Sequence, residues 1–109
     1  MPTVYKVLGQ SNPSATTLTT LYTVPASTSA VVSTIAICNQ AGTAGTYRIA
    51  IRPAGAAVAA QHYAVYGATV GANDSILLTL GVTLATTDVI SIYASSANMS
   101  FTAFGSEIS

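Results

Sequence analysis

The strongest constraint on the fold is a period-two alternation of side chains that runs from Ser29 to Pro53. In its first half both alternating sets are apolar enough to bury, with Val31, Ile35 and Ile37 on one face and Val32, Thr34, Ala36 and Cys38 on the other. In its second half one face is apolar, formed by Tyr47, Ile49 and Ile51, and the other carries Arg48 and Arg52. A repeat of two is typical of β-strands. The two halves flank a small-residue loop, Asn39–Gly45, and are predicted to be the strands of one hairpin.

Shorter alternating segments, separated by turn residues, cover the rest of the chain. They predict strands over residues 2–9, 16–24, 61–70, 75–80, 89–94 and 99–104. Residues 53–60 are predicted to be a loop or a short helical turn, with the loop preferred because Pro53 and Gly55 stand at its start. Residues 1–15 are predicted to be either an edge strand or an N-terminal arm of a single domain that spans residues 1–109. About eight short strands with regular turns favour an all-β fold, an antiparallel β-sandwich of the jelly-roll type. The alternative is an immunoglobulin-like sandwich, although the chain lacks its cysteine pair and its tryptophan.

Charged residues are unusually rare in this chain. Only 6% of the residues are Asp, Glu, Lys or Arg, against about 25% in a typical soluble domain, and the net charge is zero. Monomeric proteins use surface charge to stay soluble and apart from their neighbours. The composition therefore predicts a surface that is largely covered by other subunits, and we expect a homo-oligomer, with a homotrimer favoured.

The residues able to carry out chemistry are few and scattered. His62 is the only histidine, Cys38 is the only cysteine, and there are three carboxylate side chains. This set is too small for acid–base catalysis or for a metal site, so we expect no enzyme activity, no metal and no cofactor. A small hydrolase is a remote alternative. Asp74 and Asp88 are expected to accept backbone hydrogen bonds in turns.

The same inventory argues against two other classes of partner. Three basic residues cannot form the basic patch that binds nucleic-acid phosphates. No apolar run approaches the length of a membrane span. The N-terminal residues also lack the basic and apolar regions of a signal peptide, so we expect synthesis in the cytoplasm without export.

Four residues are predicted to form an interface. Arg48 and Arg52 are four apart on one strand and share a face, where they are either solvated or dock onto carboxylates of a partner. Lys6 lies on the predicted first strand, where a charge also discourages unwanted edge pairing. Tyr66 is one of six tyrosines in predicted strands, a residue type that is common at interfaces and also packs within sheets.

A resemblance to known proteins is carried by an ordered set of segments along nearly the whole chain. These are KVLGQ (6–10), LYTVP (21–25), VVSTIAICNQ (31–40), TYRIAIRPAG (46–55), GANDSI (71–76), TTDVISIYAS (86–95) and MSFTAFGSEI (99–108). In this order they resemble small virion proteins of tailed bacteriophages, with cyanophages prominent among the viruses concerned. Residues 53–61 and His62 fall outside the recognisable pattern, so the resemblance assigns them no function.

The resemblance implies a structural role rather than a catalytic one. Similar proteins are β-sandwich components of the particle, including capsid decoration or cement proteins that clamp neighbouring subunits of the major capsid protein. It therefore predicts a virion protein on the outer capsid surface, with the major capsid protein as its partner. The alternative is a tail or head-fibre domain that binds a glycan on the host surface. A cement protein should present a broad, flat apolar base, whereas a fibre domain should expose a tyrosine-rich pocket with polar groups.

Overall fold

The computed structural model describes residues 3–109 and is all-β, with two four-stranded antiparallel sheets packed face to face. Met1 and Pro2, where the predicted domain and its first strand begin, lie outside the described residues. The strands are β1 (Thr3–Ser11), β2 (Thr19–Thr23), β3 (Ser29–Asn39), β4 (Gly45–Arg52), β5 (Tyr63–Val70), β6 (Ser75–Leu84), β7 (Val89–Ala94) and β8 (Met99–Ile108). Thr3–Ser11 form an edge strand paired with β8, so this part of the predicted arm or strand is a strand.

The strand order identifies the sandwich as a jelly roll. One sheet has the order β1-β8-β3-β6 and the other has the order β2-β7-β4-β5. The chain crosses from one sheet to the other at every connection except the one between β4 and β5. This arrangement confirms the predicted jelly-roll sandwich, and the immunoglobulin-like alternative has a different strand order.

The predicted central hairpin is wrong, because β3 and β4 belong to different sheets. β3 pairs with β6 and β8, whereas β4 pairs with β5 and β7. Both strands have an apolar face, and these faces bury most surface when they are opposed across the core rather than placed side by side. The connection of residues 40–44 therefore crosses from one sheet to the other at an open end of the sandwich.

Asn39 holds this crossing in place. Its side chain is buried, and its amide nitrogen donates to the carbonyl oxygens of Thr43, Val70 and Gly71 over 2.9–3.2 Å. Its amide oxygen accepts a hydrogen bond from the backbone N–H of Ala41. A buried amide with all of its groups satisfied fixes the surrounding backbone, so a loop that the sequence predicts to be flexible is held by one side chain.

A β-bulge changes which residues of β3 face the core. The register with β8 shifts between Val32 and Thr34, so Ser33 is an extra residue of β3 relative to β8. Opposite the same point, the extra residue of the β3–β6 pair lies on β6, between Thr79 and Val82. As a result Val32 joins Ile35 and Ile37 on the buried face, in the place where strict alternation predicts Val31. A second register shift in β2, between Thr20 and Tyr22, buries two consecutive residues, Leu21 and Tyr22.

The core lies between the two sheets and is almost wholly aliphatic. Phe101 of β8 meets Tyr47 of β4 edge to face, with ring centroids 6.3 Å apart. The largest fully buried apolar side chains around this pair are Val24, Val32, Ile35, Ile37, Ile49, Val70, Ile90, Ile92 and Met99. Each such side chain contributes roughly 1.5–3 kcal/mol by leaving water. On β6 the inward positions are half-buried, as predicted for Ile76, Leu78 and Leu80.

The segment between β4 and β5 contains two short turns joined by irregular chain, so it combines the preferred loop with the alternative of a short turn. The turns comprise Pro53–Gly55 and Ala60–His62. His62 therefore ends a turn just before β5, instead of lying on a strand. Its Nδ1 accepts a hydrogen bond from the N–H of Ala59 at 3.0 Å.

Gly105 is required where β8 passes the bulge of β3. A Cβ atom at this position would meet the carbonyl oxygen of Val31. We predict that Gly105→Ala lowers the free energy of unfolding by about 3 kcal/mol, because a backbone atom cannot move aside as a flexible side chain can. Gly42→Ala is the matched control, since a Cβ atom there has no neighbour within 4 Å. Urea denaturation measures both, and equal stabilities of the two variants would contradict the prediction.

Candidate functional site

Arg48 is held between two tyrosine rings on the outer face of β4. Its guanidinium carbon lies 4.2 Å from the ring centroid of Tyr66 and 4.2 Å from that of Tyr93. The arrangement follows from strand pairing, because Arg48 is opposite Tyr66 of β5 on one side and Tyr93 of β7 on the other. Cation–π contacts of this kind contribute about 0.5–1 kcal/mol each at exposed sites. We call these three residues the Arg48 stack.

A groove opens beside the Arg48 stack. Tyr63 meets Tyr66 edge-on, with centroids 4.9 Å apart and an interplanar angle of 85°. These two rings and the segment Val58–Ala60 line an open groove of about 590 Å³, which we call the tyrosine groove. Its walls are methyl groups and aromatic rings, and the tyrosine hydroxyls are the only polar side-chain groups that line it.

Arg52 shares the outer face of β4 with Arg48 but is used within the fold. Its guanidinium donates to the carbonyl oxygen of Ala56 at 2.7 Å, to that of Gly55 at 3.1 Å and to the hydroxyl of Ser91 at 2.9 Å. Ser91 is fully buried, so Arg52 satisfies a hydroxyl that has no access to water. Asp88 supports the same segment by accepting hydrogen bonds from the N–H groups of Ala54 and Ala85, as expected of a turn aspartate.

Lys6 lies on the other sheet, in an ion pair with Glu107. Its Nζ is 2.8 Å from one carboxylate oxygen of Glu107, and the Tyr22 hydroxyl donates to the other at 2.6 Å. The hydrogen bond from Lys6, followed by that from Tyr22, lowers the pKa of Glu107 below its ordinary value of 4.5. Burial and the nearby carboxylate raise the pKa of Tyr22. The three residues connect β1 and β8 of one sheet to β2 of the other.

The four predicted interface residues therefore do not form one surface. Arg48 and Tyr66 are in contact within the Arg48 stack. Arg52 lies on the same strand face but beneath residues 55–56, and Lys6 belongs to the opposite sheet. The contribution of Tyr93 was not predicted, because nothing in the sequence relates it to an arginine on a strand that is 45 positions away.

The sheet β1-β8-β3-β6 presents a second surface, which the sequence analysis did not predict. Apolar side chains stand exposed on its outer side, with Tyr5 84% and Leu77 66% accessible, together with Val7 and Phe104. A cleft of about 540 Å³ lies among Tyr5, Lys6, Val31 and Phe104. We call this surface the apolar outer face.

Among residues 3–109, one charged residue, Lys6, borders the apolar outer face, where it lines the cleft with Tyr5 and Phe104. Arg48 and Arg52 lie on β4, and Asp74 and Asp88 lie in connections between strands. Glu107 points toward the core side, because it pairs with the buried Ala30 and binds Tyr22 of the other sheet. Lys6 is in an ion pair with Glu107. The face is therefore a broad apolar and hydroxyl-bearing surface whose one bordering charge is already paired.

Other classes of site find little support in the described part of the chain. No group of three or more His, Cys, Asp and Glu side chains among residues 3–109 could hold a metal ion. Within the same residues, no helix is long and apolar enough to cross a membrane. Cys38 is a half-buried free thiol on β3.

Comparisons with known proteins provide no relative from which function could be transferred. No protein-family model, no curated protein and no solved structure matches the chain. A jelly roll supports many unrelated functions, so the fold by itself does not choose among them. Function must be argued from the Arg48 stack, the tyrosine groove and the apolar outer face.

The bond between Tyr22 and Glu107 should make stability depend on pH. Because folding lowers the pKa of Glu107, its contribution is fully present above pH 4.5 and is lost as the pH falls through the lower folded value. We predict that Tyr22→Phe costs about 1.5 kcal/mol at pH 7, since it removes a hydrogen bond to a charged group, and costs less at pH 3. Tyr5→Phe is the control, because Tyr5 is exposed. Urea denaturation at both pH values tests this, and a cost for Tyr22→Phe that does not change with pH contradicts it.

The two arginines of β4 should differ in their effect on folding. Arg52→Ala leaves the buried Ser91 hydroxyl and two carbonyl groups without their donor, so we expect a loss of about 2 kcal/mol. Arg48→Ala removes two cation–π contacts of a partly exposed side chain, each at the lower end of the range, about 0.5 kcal/mol, so we expect a loss of about 1 kcal/mol. The free energies of unfolding of the two single variants in urea give the comparison. Equal losses would show that Arg52 is not the structural residue of the pair.

Proposed function

We propose that this protein is a non-enzymatic structural protein of a tailed-phage particle, a decoration or cement protein on the outer capsid surface. The observation that carries the proposal is the apolar outer face, a broad sheet surface with exposed Tyr5 and Leu77 side chains and a single bordering charge, Lys6, that is paired with Glu107. Such a surface suits contact with a large neighbouring protein more than contact with water. The low charge of the chain and the resemblance of its segments to phage virion proteins support the same role.

The proposed partner is the major capsid protein, which the apolar outer face contacts as a base. The domain measures 45 × 27 × 19 Å, so its sheet faces are its broad surfaces. We propose a homotrimer, because three linked copies make each further contact with the shell at a high effective concentration. Binding that favours the intact shell over the ruptured shell stabilises the shell by linkage.

A second candidate function is a tail or head-fibre domain that binds a host-surface glycan. The tyrosine groove favours it, because the rings of Tyr63 and Tyr66 form an aromatic surface beside the cation of Arg48. Glycan recognition also needs polar side chains around such rings, and the groove is otherwise lined by Val58, Ala59 and Ala60. The apolar outer face therefore supports the capsid role more strongly.

A charge placed on the apolar outer face should abolish stabilisation of the particle. We predict that Leu77→Asp weakens binding to capsids at least about tenfold, because docking would bury an unpaired carboxylate. Thr69→Asp is the matched control, since Thr69 is exposed on β5 of the other sheet. Particles lacking the protein are supplied with the wild-type, Leu77→Asp or Thr69→Asp protein, and DNA release on heating is followed with a DNA-binding dye.

We expect the wild-type and Thr69→Asp proteins to raise the temperature of DNA release, and the Leu77→Asp protein to leave it unchanged. Circular dichroism of the variants shows that each is folded. The capsid role is overturned if particles with and without the wild-type protein release DNA at the same temperature. Labelled protein found at the tail tip would instead support the fibre function.

A further inference from the structure

Arg48 differs from the other two cations of the chain, because it has no hydrogen-bond acceptor among residues 3–109. Lys6 is paired with Glu107, and Arg52 donates to three oxygen atoms. Within residues 3–109, Arg48 makes no hydrogen bond and no ion pair, although it is only partly exposed. In a domain with so few charges, an arginine held in place without an acceptor is available to a ligand.

The Arg48 stack fixes the position of this guanidinium. Tyr66 and Tyr93 flank it at equal distances of 4.2 Å, so its motion is restricted before any partner arrives. Stacking uses the faces of the planar group and leaves its N–H donors at the edges. A fork of donors held in one plane matches the two oxygens of a carboxylate, and pre-organisation reduces the entropy that binding would cost.

The tyrosine groove determines which carboxylate fits. Tyr66 belongs to both features, because one contact joins it to Arg48 and another to Tyr63. The remaining wall, Val58–Ala60, presents methyl groups, which suit an aliphatic or aromatic side chain more than the hydroxyls of a sugar. Arginine and tyrosine beside an apolar pocket are also typical of the residues that dominate protein–protein binding.

We propose that the Arg48 stack and the tyrosine groove together bind a segment of a partner protein that carries an apolar side chain next to an Asp or Glu. The apolar side chain enters the groove, and the carboxylate accepts a bidentate hydrogen bond from Arg48. The site lies on the sheet β2-β7-β4-β5, on the opposite side of the sandwich from the apolar outer face. It is therefore available while the other sheet is docked, and it does not depend on the capsid role.

The test begins with a library of random 12-residue peptides displayed on phage and selected against the immobilised full chain. We expect the enriched peptides to carry Asp or Glu within three residues of Leu, Ile, Val, Met or Phe. The best peptide is then synthesised in two forms, one with the acidic residue and one with the matching amide, Gln or Asn. The acidic form should bind the protein at least tenfold more tightly in calorimetry.

Variants of the protein locate the binding. Arg48→Lys keeps the charge but removes the planar fork. It should therefore weaken binding of the acidic peptide at least tenfold and leave binding of the amide peptide nearly unchanged. Tyr66→Ala should weaken binding of both peptides, because Tyr66 lines the groove. The Tyr66 side chain is 65% exposed, so its loss should not unfold the domain. Thr46→Ala, an exposed position on the same strand, is the control and should change neither affinity.

Three results would overturn the proposal. The first is no enrichment of acidic peptides, and the second is binding that Arg48→Lys leaves unchanged. The third is tight, Arg48-dependent binding of an oligogalacturonate in place of the peptide, which would assign the site to an acidic glycan. None of these outcomes bears on heat-induced DNA release, so failure here and failure of the capsid role can be told apart.

Discussion

The structure depends on the burial of two apolar sheet faces against each other. The inner faces of β3 and β8 oppose those of β4 and β7, and their largest side chains, such as Ile35, Ile49 and Phe101, are fully excluded from water. There is no disulfide, since the chain has one cysteine. Nearly all of the stabilising free energy must therefore come from this contact and from the hydrogen bonds of the sheets.

The few polar anchors of the domain lie where the sheets meet or where the chain crosses between them. Asn39 hydrogen-bonds backbone groups of the crossing from β3 to β4, and Asp88 accepts hydrogen bonds from backbone N–H groups of the turns beside β7. Arg52 ties down the segment after β4, and Glu107 links the two sheets through Tyr22. A sandwich has open ends with free backbone groups, so each of these side chains satisfies donors or acceptors that the sheets cannot.

The two outer faces of the sandwich are chemically different, and this difference organises the functional proposals. One sheet exposes apolar side chains, with Lys6 paired to Glu107 at its border, which suits a large, permanent contact. The other carries Arg48, which has no acceptor among residues 3–109, beside a small groove, which suits a short segment with a carboxylate. A protein docked through the first face would present the second to its surroundings.

Sequence alone determined the elements that depend on local pattern. The alternation predicts β7 at Val89–Ala94, where the structure has it, and the inward positions of β6. Such predictions succeed because a strand with one buried face must repeat every two residues whatever its partner is. The number of strands and the jelly-roll sandwich follow from the same regularity and from the turns between the strands.

Tertiary structure alone decided which strands became neighbours and which side chains met. Val32 replaces Val31 in the core because a bulge at Ser33 shifts the alternation, and no local preference marks that position. The sequence predicted a hairpin after Asn39, but the chain crosses there to the other sheet. It does so because the apolar faces of β3 and β4 bury most surface when they are opposed across the core, and that depends on the whole domain. The Arg48 stack needs β5 and β7 on either side of β4, and the sequence specifies that pairing only through the complete fold, because strand pairing is non-local.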